Sequence, residues 1–140
     1  MKLQQAVLDT LYLFSQSPDH RIYTLAEFNQ YAVLPIIHDK CRLFYESERP
    51  VGFVSWVWLT PEEGQAFLDE TYVPDETAYE RPDTADPSFE LWGIEFLAPF
   101  GHARRVMREM RQHSFTQLGT NTPVHWRRFK QPDRLHRRRF

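Results

Sequence analysis

The chain has 140 residues, of which 41% are hydrophobic and 15% aromatic, and its formal net charge is −2. This length suits one domain with a substantial core, and the aromatic content excludes an intrinsically disordered chain. The single cysteine, Cys41, excludes an internal disulfide, while the absence of a signal-like N-terminus and of a long apolar run predicts a soluble, cytoplasmic protein.

Two helices are predicted at the start of the chain. Apolar residues at three- and four-residue steps predict an amphipathic helix over residues 3–16, which the Ser-Pro sequence at 17–18 ends. Thr24 and Glu27 have the spacing of a capping box, so a second helix is predicted to begin near Thr24. It is predicted to end before Pro35, because proline disfavours the helical conformation of the preceding residue.

Strand-forming residues follow these helices. The runs 42–46 and 50–59 are rich in aromatic and β-branched side chains and predict a hairpin, with residues 47–49 as its turn. A short helix is then predicted from Thr60 to about Asp69, because a proline follows Thr60 at a position that suits the first helical turn.

Charge is distributed unevenly over the second half of the chain. Residues 62–95 carry eleven acidic side chains and one basic one, and the proline-containing stretch 73–90 among them predicts a long solvated loop. Residues 127–140 carry seven basic side chains and one acidic one. We interpret residues 128–140 as a flexible, Arg-rich tail, with a patch for nucleic acid or another anionic partner as the alternative.

A carboxylate lies inside a predicted core strand over residues 91–97. The alternation of side chains predicts two faces, one with Phe89, Leu91, Gly93, Glu95 and Leu97 and the other with Trp92, Ile94 and Phe96. Both faces are apolar, which indicates a strand covered on both sides. An ionised carboxylate there is costly unless it is paired or hydrogen-bonded, so Glu95 indicates either a structural ion pair or a functional group.

The remaining pattern completes the predicted fold. A turn over 99–101 leads into a helix from His102 to about His113, and a last strand is predicted over 124–129. Residues 1–140 are therefore predicted to form a single α+β domain with a mixed β-sheet flanked by helices. The order of elements resembles that of GCN5-related N-acyltransferases, a likeness of fold that is weak evidence for function.

Four motifs are similar to those of a known enzyme family. They are 17–21 (Ser-Pro-Asp-His-Arg), 34–35 (Leu-Pro), 50–56 (Pro-Val-Gly-Phe-Val-Ser-Trp) and 92–101 (Trp-Gly-Ile-Glu-Phe-Leu-Ala-Pro-Phe-Gly). In this order, over roughly residues 8–113, the chain resembles the RTX toxin-activating lysine acyltransferases, the haemolysin-activation family.

The resemblance implies an N-acyltransferase fold and a homodimer. It implies that a fatty acyl chain passes from acyl carrier protein, with no bound cofactor, to internal lysines of an RTX-type protoxin. The family's catalytic histidine follows Ser-Pro-x and falls on His20, and its catalytic carboxylate falls on Glu95, where aspartate is usual. Tyr23 stands where the family usually has tryptophan.

The residue types suit this chemistry. A lysine amine has a pKa of about 10.4 and must lose a proton before it attacks a thioester. His20 suits the role of the base, and Glu95 suits that of a group that orients the imidazole and stabilises its charge. Covalent transfer through His20 is an alternative. For His20 alone, a histidine that caps a backbone group is the structural interpretation.

Candidate donor-binding residues lie in two places. Ser55 and Trp56 are the first, with a buried serine and a core tryptophan as the structural interpretations. An exposed basic stripe on the last helix is the predicted docking surface for the acidic acyl carrier protein and consists of Arg104, Arg108 and Arg111. A single glycine within 98–101 favours a carrier-protein donor over free coenzyme A.

Two other functions stay open. One is an N-acetyltransferase that uses acetyl coenzyme A, and the other is a non-catalytic binding module that uses the basic C-terminus. Nucleic acid is disfavoured as a partner because the remaining surface is acidic and the aromatic residues fall in core-like runs. The histidines do not follow a metal-ligand spacing, so no metal is assigned.

Overall fold

A computed structural model describes residues 2–84, 86–115, 122–128 and 131–139 of the chain. The elements are α1 (Leu3–Gln16), α2 (Leu25–Phe28), π1 (Asn29–Val33), α3 (Leu34–Ile37), β1 (Cys41–Glu46), β2 (Arg49–Leu59), α4 (Pro61–Leu68), α5 (Glu76–Tyr79), β3 (Glu90–Leu97), α6 (Ala103–Glu109), π2 (Met110–Phe115), β4 (Pro123–Arg128) and β5 (Gln131–Arg139). Within these residues, no helix combines the length and the apolar character needed to cross a bilayer.

The strands form one mixed sheet in the order β1-β2-β3-β4-β5. Neighbouring strands are antiparallel, except that β3 and β4 run parallel. Helices pack on both faces of the sheet. This architecture confirms the predicted α+β fold with a mixed sheet and is consistent with a GCN5-related N-acyltransferase fold.

The C-terminal residues differ from the flexible tail predicted for 128–140. Residues 131–139 form β5, which pairs antiparallel with β4. Backbone groups make this pairing, and every residue except proline carries both of them, so the basic side chains carry no signal of it. Ala85 of the predicted loop, Phe129 of the predicted strand, and Lys130 and Phe140 of the predicted tail lie outside the described residues.

The sheet separates two layers of the core. One face packs against α6 through a cluster that includes Val54, Trp56, Trp58, Leu91 and Val106, and we call it the α6 face. The opposite face packs against α1, the helical run from α2 to α3, α4 and α5, and we call it the α1 face. From Phe53 to Leu59, successive residues of β2 alternate between these faces, as the strand pattern predicts.

A β-bulge in β3 determines which face carries Glu95. Ser55 of β2 pairs with Glu95, whereas Trp56 pairs with Gly93, so Ile94 is an extra residue on β3. The extra residue shifts the alternation by one position. Ile94 and Glu95 therefore both lie on the α1 face, although they are adjacent in sequence.

The prediction that Leu91, Glu95 and Leu97 share one face of the strand is therefore wrong. Leu91 packs on the α6 face, whereas Leu97 packs on the α1 face, where Glu95 also lies. Phe96, between them, packs on the α6 face. The prediction assumed strict alternation of side chains, which holds only in a strand without a bulge. Because β3 is apolar on both faces, its sequence does not show where the alternation shifts by one residue.

The second helix does not end before Pro35, contrary to the prediction. The capping box of Thr24 and Glu27 is present, and the helical run continues from Leu25 to Ile37. Its middle is the wider π1 segment, after which Leu34 N–H donates to the carbonyl of Asn29. The helical run tolerates Pro35 because the wider π turn changes the hydrogen-bond pattern at this point, so that the backbone N–H that proline lacks is not needed.

The acidic stretch 73–90 is more ordered than the predicted solvated loop. It contains α5, whose Ala78 and Tyr79 are buried. Arg81 donates to the carbonyl of Trp58 at 2.8 Å and to Glu63 Oε1 at 2.6 Å, and these hydrogen bonds fasten the stretch to the edge of β2. The Arg81 hydrogen bond also lowers the pKa of the Glu63 carboxyl. These contacts join residues that are far apart in the sequence, which explains why local periodicity did not predict an ordered segment here.

Gly93 has no room for a side chain. A Cβ atom at this position would lie 2.3 Å from the ring of Trp126 on β4. We predict that Gly93→Ala lowers the free energy of unfolding by about 1–3 kcal/mol, because the ring must leave its packing. Urea unfolding measures this loss. The same substitution in a Trp126→Ala background should cost far less, and an equal loss in both backgrounds would contradict the contact as its cause.

Candidate functional site

His20 lies in the turn that follows α1. Its backbone N–H donates to the carbonyl of Ser17 at 3.0 Å, and its carbonyl accepts from the N–H of Tyr23 at 3.0 Å. The imidazole packs edge-on against Phe14, with ring centroids 5.2 Å apart. His20 is buried, with 9% of its surface exposed. The turn therefore holds the ring against α1 and leaves it little contact with solvent.

Glu95 is the polar centre of the α1 face. Its side chain is 1% exposed, and its Oε2 lies 2.8 Å from His20 Nε2. The Tyr23 hydroxyl donates to Oε1 at 2.7 Å. The backbone N–H of Glu95 donates to the Ser55 hydroxyl at 3.2 Å, beside the bulge. The structure thus brings the two predicted catalytic residues together, although 75 positions separate them in the chain.

The hydrogen bonds of His20 define what each ring nitrogen does. An ionised carboxylate only accepts hydrogen bonds, so with Glu95 ionised the Nε2 atom carries the hydrogen of this bond. The other nitrogen, Nδ1, lies 2.7 Å from the Ser17 hydroxyl. In the neutral imidazole, Nδ1 is then the basic atom and the Ser17 hydroxyl donates to it. Ser17, His20 and Glu95 thus form one continuous chain of hydrogen bonds.

Tyr23 and Tyr79 surround the carboxylate with protonated hydroxyls. Burial, followed by the nearby Glu95 charge, raises the pKa of Tyr23 far above its ordinary value. Burial and Glu95 raise the pKa of Tyr79 in the same order of importance. A phenol whose pKa is raised stays a hydrogen-bond donor throughout the neutral pH range, so Tyr23 donates to Glu95 at neutral pH.

Sequence reasoning missed two members of this network. Ser17 belongs to the motif at 17–21, and the three-residue separation from His20 suits a turn that joins their side chains. For Tyr23, the family resemblance indicates only the replacement of a tryptophan. An aromatic residue with a hydroxyl close to a candidate base is the signal that points to a hydrogen-bonding role.

The predicted donor-binding residues of β2 lie on opposite faces of the sheet. Ser55 is fully buried on the α1 face and bonded to Glu95 N–H. Trp56 is buried on the α6 face, and its indole N–H donates to Asp83 Oδ1 at 3.0 Å. Trp58 donates to the same oxygen at 2.8 Å. These contacts match the structural interpretations of both residues, and their part in donor binding stays a prediction.

The predicted basic stripe lies on the α6 face, on the far side of the sheet from Glu95. Its members Arg104, Arg108 and Arg111 are exposed. They line a groove of about 700 Å³ whose apolar part includes Phe96 and Met107. The groove thus combines a basic rim with an apolar lining.

The pairing of β3 with β4 ends beside this groove. Parallel pairing joins residues 91–93 of β3 to residues 124–126 of β4, and β3 continues beyond it to Leu97. Phe96 lies in this continuation, and the centroid of its ring lies 6.3 Å from that of Trp126. Phe96 lines the groove, whereas the preceding residue, Glu95, lies on the α1 face with His20.

Other chemical groups lie away from the pair. His38, Glu76 and Glu80 place possible metal-ligand atoms within 4.8 Å of one another, and His38 Nε2 lies 3.0 Å from Glu76 Oε1. Both glutamates are exposed, which is typical of a surface ion pair. Sequence spacing did not indicate this group, because His38 follows α3 whereas Glu76 and Glu80 lie at the two ends of α5, far along the chain. Burial, with a contribution from Asp39, raises the pKa of the Cys41 thiol to about 12, which disfavours a nucleophilic role.

Known proteins share this sequence pattern. The model of the RTX toxin acyltransferase family matches residues 2–138. The lysine-acyltransferase RtxC of Vibrio cholerae is 28% identical over 116 residues, which are 81% of this chain and 71% of that relative. Two relatives of Actinobacillus pleuropneumoniae are toxin-activating lysine-acyltransferases, one for RTX-II and one for RTX-III. They are 27% and 31% identical over 77% and 72% of this chain, but these matches span only 64% and 55% of the relatives' own lengths. The matches confirm the predicted family resemblance and the predicted enzyme class, an acyltransferase.

Proposed function

This chain belongs to the RTX toxin acyltransferase family, and we propose that it transfers a fatty acyl group from acyl carrier protein to internal lysines of a protoxin. The observation that carries the proposal is the buried 2.8 Å hydrogen bond between His20 Nε2 and Glu95 Oε2. A general base works best when its ring is oriented and the charge that it gains is compensated. Glu95 supplies both to His20.

The proposed base step uses the second ring nitrogen. The lysine amine gives a proton to His20 Nδ1 while its nitrogen attacks the thioester carbonyl, either in place of the Ser17 hydroxyl or through it. The carbon–sulfur bond then breaks, and the protonated His20 gives its proton to the leaving sulfur, which departs as a thiol while the imidazole becomes neutral again. Direct transfer is preferred over an acyl-histidine intermediate, because both ring nitrogens are engaged in hydrogen bonds and the ring is buried.

The proposed donor path begins on the α6 face. Acyl carrier proteins are acidic, and the exposed stripe of Arg104, Arg108 and Arg111 offers opposite charge at the rim of the groove. The apolar lining at Phe96 suits the chain and linker of an acyl thioester. In this proposal the thioester reaches His20 past the part of β3 that continues beyond its pairing with β4, so the donor arrives from one face and the acceptor lysine from the other.

The proposed acceptor follows from the relatives. Two of them are toxin-activating lysine-acyltransferases by name, which supports a protoxin lysine as the acceptor. The homodimer and the cytoplasmic location implied by the sequence stay predictions.

Removal of the base tests the proposal directly. We predict that His20→Ala folds and lowers the rate of acyl transfer by roughly 100-fold or more, because the amine then lacks a proton acceptor. The measurement is acyl transfer to a protoxin co-expressed with the enzyme, followed by mass spectrometry of its lysines. His38→Ala is the matched control, since His38 is also paired with a glutamate but lies outside the site. A folded His20→Ala variant with an unchanged rate would remove His20 from the mechanism.

Glu95 separates a catalytic from a structural role. We predict that Glu95→Gln keeps its thermal midpoint within a few degrees and loses most of its activity, because the amide keeps the shape and loses the charge that stabilises the imidazolium. Glu95→Asp restores the charge one methylene shorter and should retain a measurable part of the activity. Thermal unfolding and acylation rates are measured for both. A destabilised but active Glu95→Gln would return Glu95 to a structural role.

The basic stripe makes a separate prediction about the donor. Arg108→Glu should raise the KM for acyl carrier protein by roughly 10-fold with a smaller effect on turnover. Added salt should likewise raise this KM for the native enzyme, because it screens the attraction between the two proteins. Lys2→Glu is the control, because it makes the same change of charge at an exposed residue of the chain's other end. If Arg108→Glu is silent and a free acyl coenzyme A is the better donor, the acetyltransferase alternative replaces the carrier-protein donor.

A further inference from the structure

Tyr23 touches the carboxylate on which the proposed base depends. Its hydroxyl donates to Glu95 Oε1 at 2.7 Å, while Glu95 Oε2 lies 2.8 Å from His20 Nε2. We propose that Tyr23 is a positioning residue, which fixes the Glu95 carboxylate so that one oxygen faces the imidazole. The inference rests on the proposed function of His20 and Glu95 and adds a third member to that site.

The carboxylate needs such a restraint. A glutamate side chain has one more rotatable bond than an aspartate, and each free bond must be fixed before Oε2 can meet His20 in one geometry. The Glu95 backbone is fixed by its hydrogen bond to Ser55, but that bond does not reach the carboxyl group. The Tyr23 hydroxyl binds the second oxygen, so the two oxygens have separate partners and the plane of the carboxylate is defined.

Tyr23 is itself held rigidly. Its backbone N–H donates to the carbonyl of His20 at 3.0 Å, so the two residues belong to one turn. Its ring packs against Phe14 with centroids 5.5 Å apart and against Tyr31 at 5.9 Å. The ring of His20 lies 5.3 Å away. The hydroxyl is therefore placed by the same turn that places the base.

The charges around the pair support a fixed donor. Glu27 and Tyr31 are the other titratable groups that act on Tyr23, and Tyr79 approaches Glu95 from α5. Burial and Glu95 raise the pKa of Tyr23, and Tyr31 and Glu27 add to the same direction, so the Tyr23 hydroxyl keeps its proton at neutral pH. Without this donor, the carboxylate of Glu95 would carry more negative charge, and it would stabilise the protonated imidazole of His20 more strongly. A base is active only when neutral, so the acid limb of the rate profile would move to higher pH.

The test compares two tyrosines that lose only a hydroxyl bonded to a carboxylate. Tyr23→Phe should lower kcat roughly 10-fold, leave the KM for the donor unchanged, and move the acid limb of kcat/KM to higher pH. Tyr45→Phe is the matched control, because the Tyr45 hydroxyl donates to Asp9 Oδ2 and neither residue belongs to the site. It should leave kcat and the pH profile as they are. If Tyr23→Phe behaves like Tyr45→Phe, or loses activity with no change in the profile, the positioning role is overturned.

A measurement without substrate keeps this inference separate from the proposed function. The NMR signals of the His20 ring should titrate at a higher pH in Tyr23→Phe than in the native protein, whether or not the protein transfers an acyl group. If acyl transfer is absent but the His20 signals shift, the proposed function fails and the contact stands. If Tyr23→Phe does not fold, tyrosine ring signals in Glu95→Gln give the answer. A Tyr23 signal that moves no more than that of an exposed tyrosine such as Tyr12 would overturn the inference.

Discussion

The site depends on how the protein stabilises a carboxylate that is removed from water. Glu95 is 1% exposed, and a buried charge without partners is strongly destabilising. Its partners come from separate parts of the chain: His20 and Tyr23 from the turn after α1, and Ser55 from the neighbouring strand. The same hydrogen bonds that make the burial tolerable also join the turn to the sheet. The tolerance of a buried carboxylate and the orientation of the His20 imidazole are therefore consequences of one network.

The bulge in β3 makes this network possible. Without the bulge, Ile94 would pair regularly, and the strict alternation from Gly93 would direct Glu95 toward the α6 face, away from His20. With the bulge, Glu95 lies on the α1 face and Phe96 on the α6 face, so adjacent residues reach His20 and the groove. The pairing of β3 with β4 ends close to the bulge, at Gly93. One irregularity thus determines which side chain meets His20 and which one lines the groove.

The sequence predicted the parts of the molecule that follow local rules. The two helical starts, the hairpin and the core strand follow capping and strand patterns, and a polar Glu95 in an apolar strand is visible in the sequence alone. The motif at 17–21 indicated His20 as the residue that acts together with Glu95. The sequence does not predict that the helix continues through Pro35, because the π segment before the proline lets the helical run accommodate it. It does not predict the face of Glu95 either, because a bulge in an apolar strand has no signal in the sequence. The hydroxyl of Ser17 was missed because its partner is defined by the turn geometry.

The length of the Glu95 side chain sets where its carboxyl group lies. Compared with an aspartate, the added methylene moves the carboxyl group away from β3, so the groups that meet it must lie at the matching depth. The turn after α1 supplies two such groups, the imidazole of His20 and the hydroxyl of Tyr23, and the backbone hydrogen bond between these residues couples their positions. A change in the length of the carboxylate side chain therefore affects both partners together. The site depends physically on the location of two oxygen atoms relative to one ring, and a strand bulge and an aromatic hydroxyl fix that location.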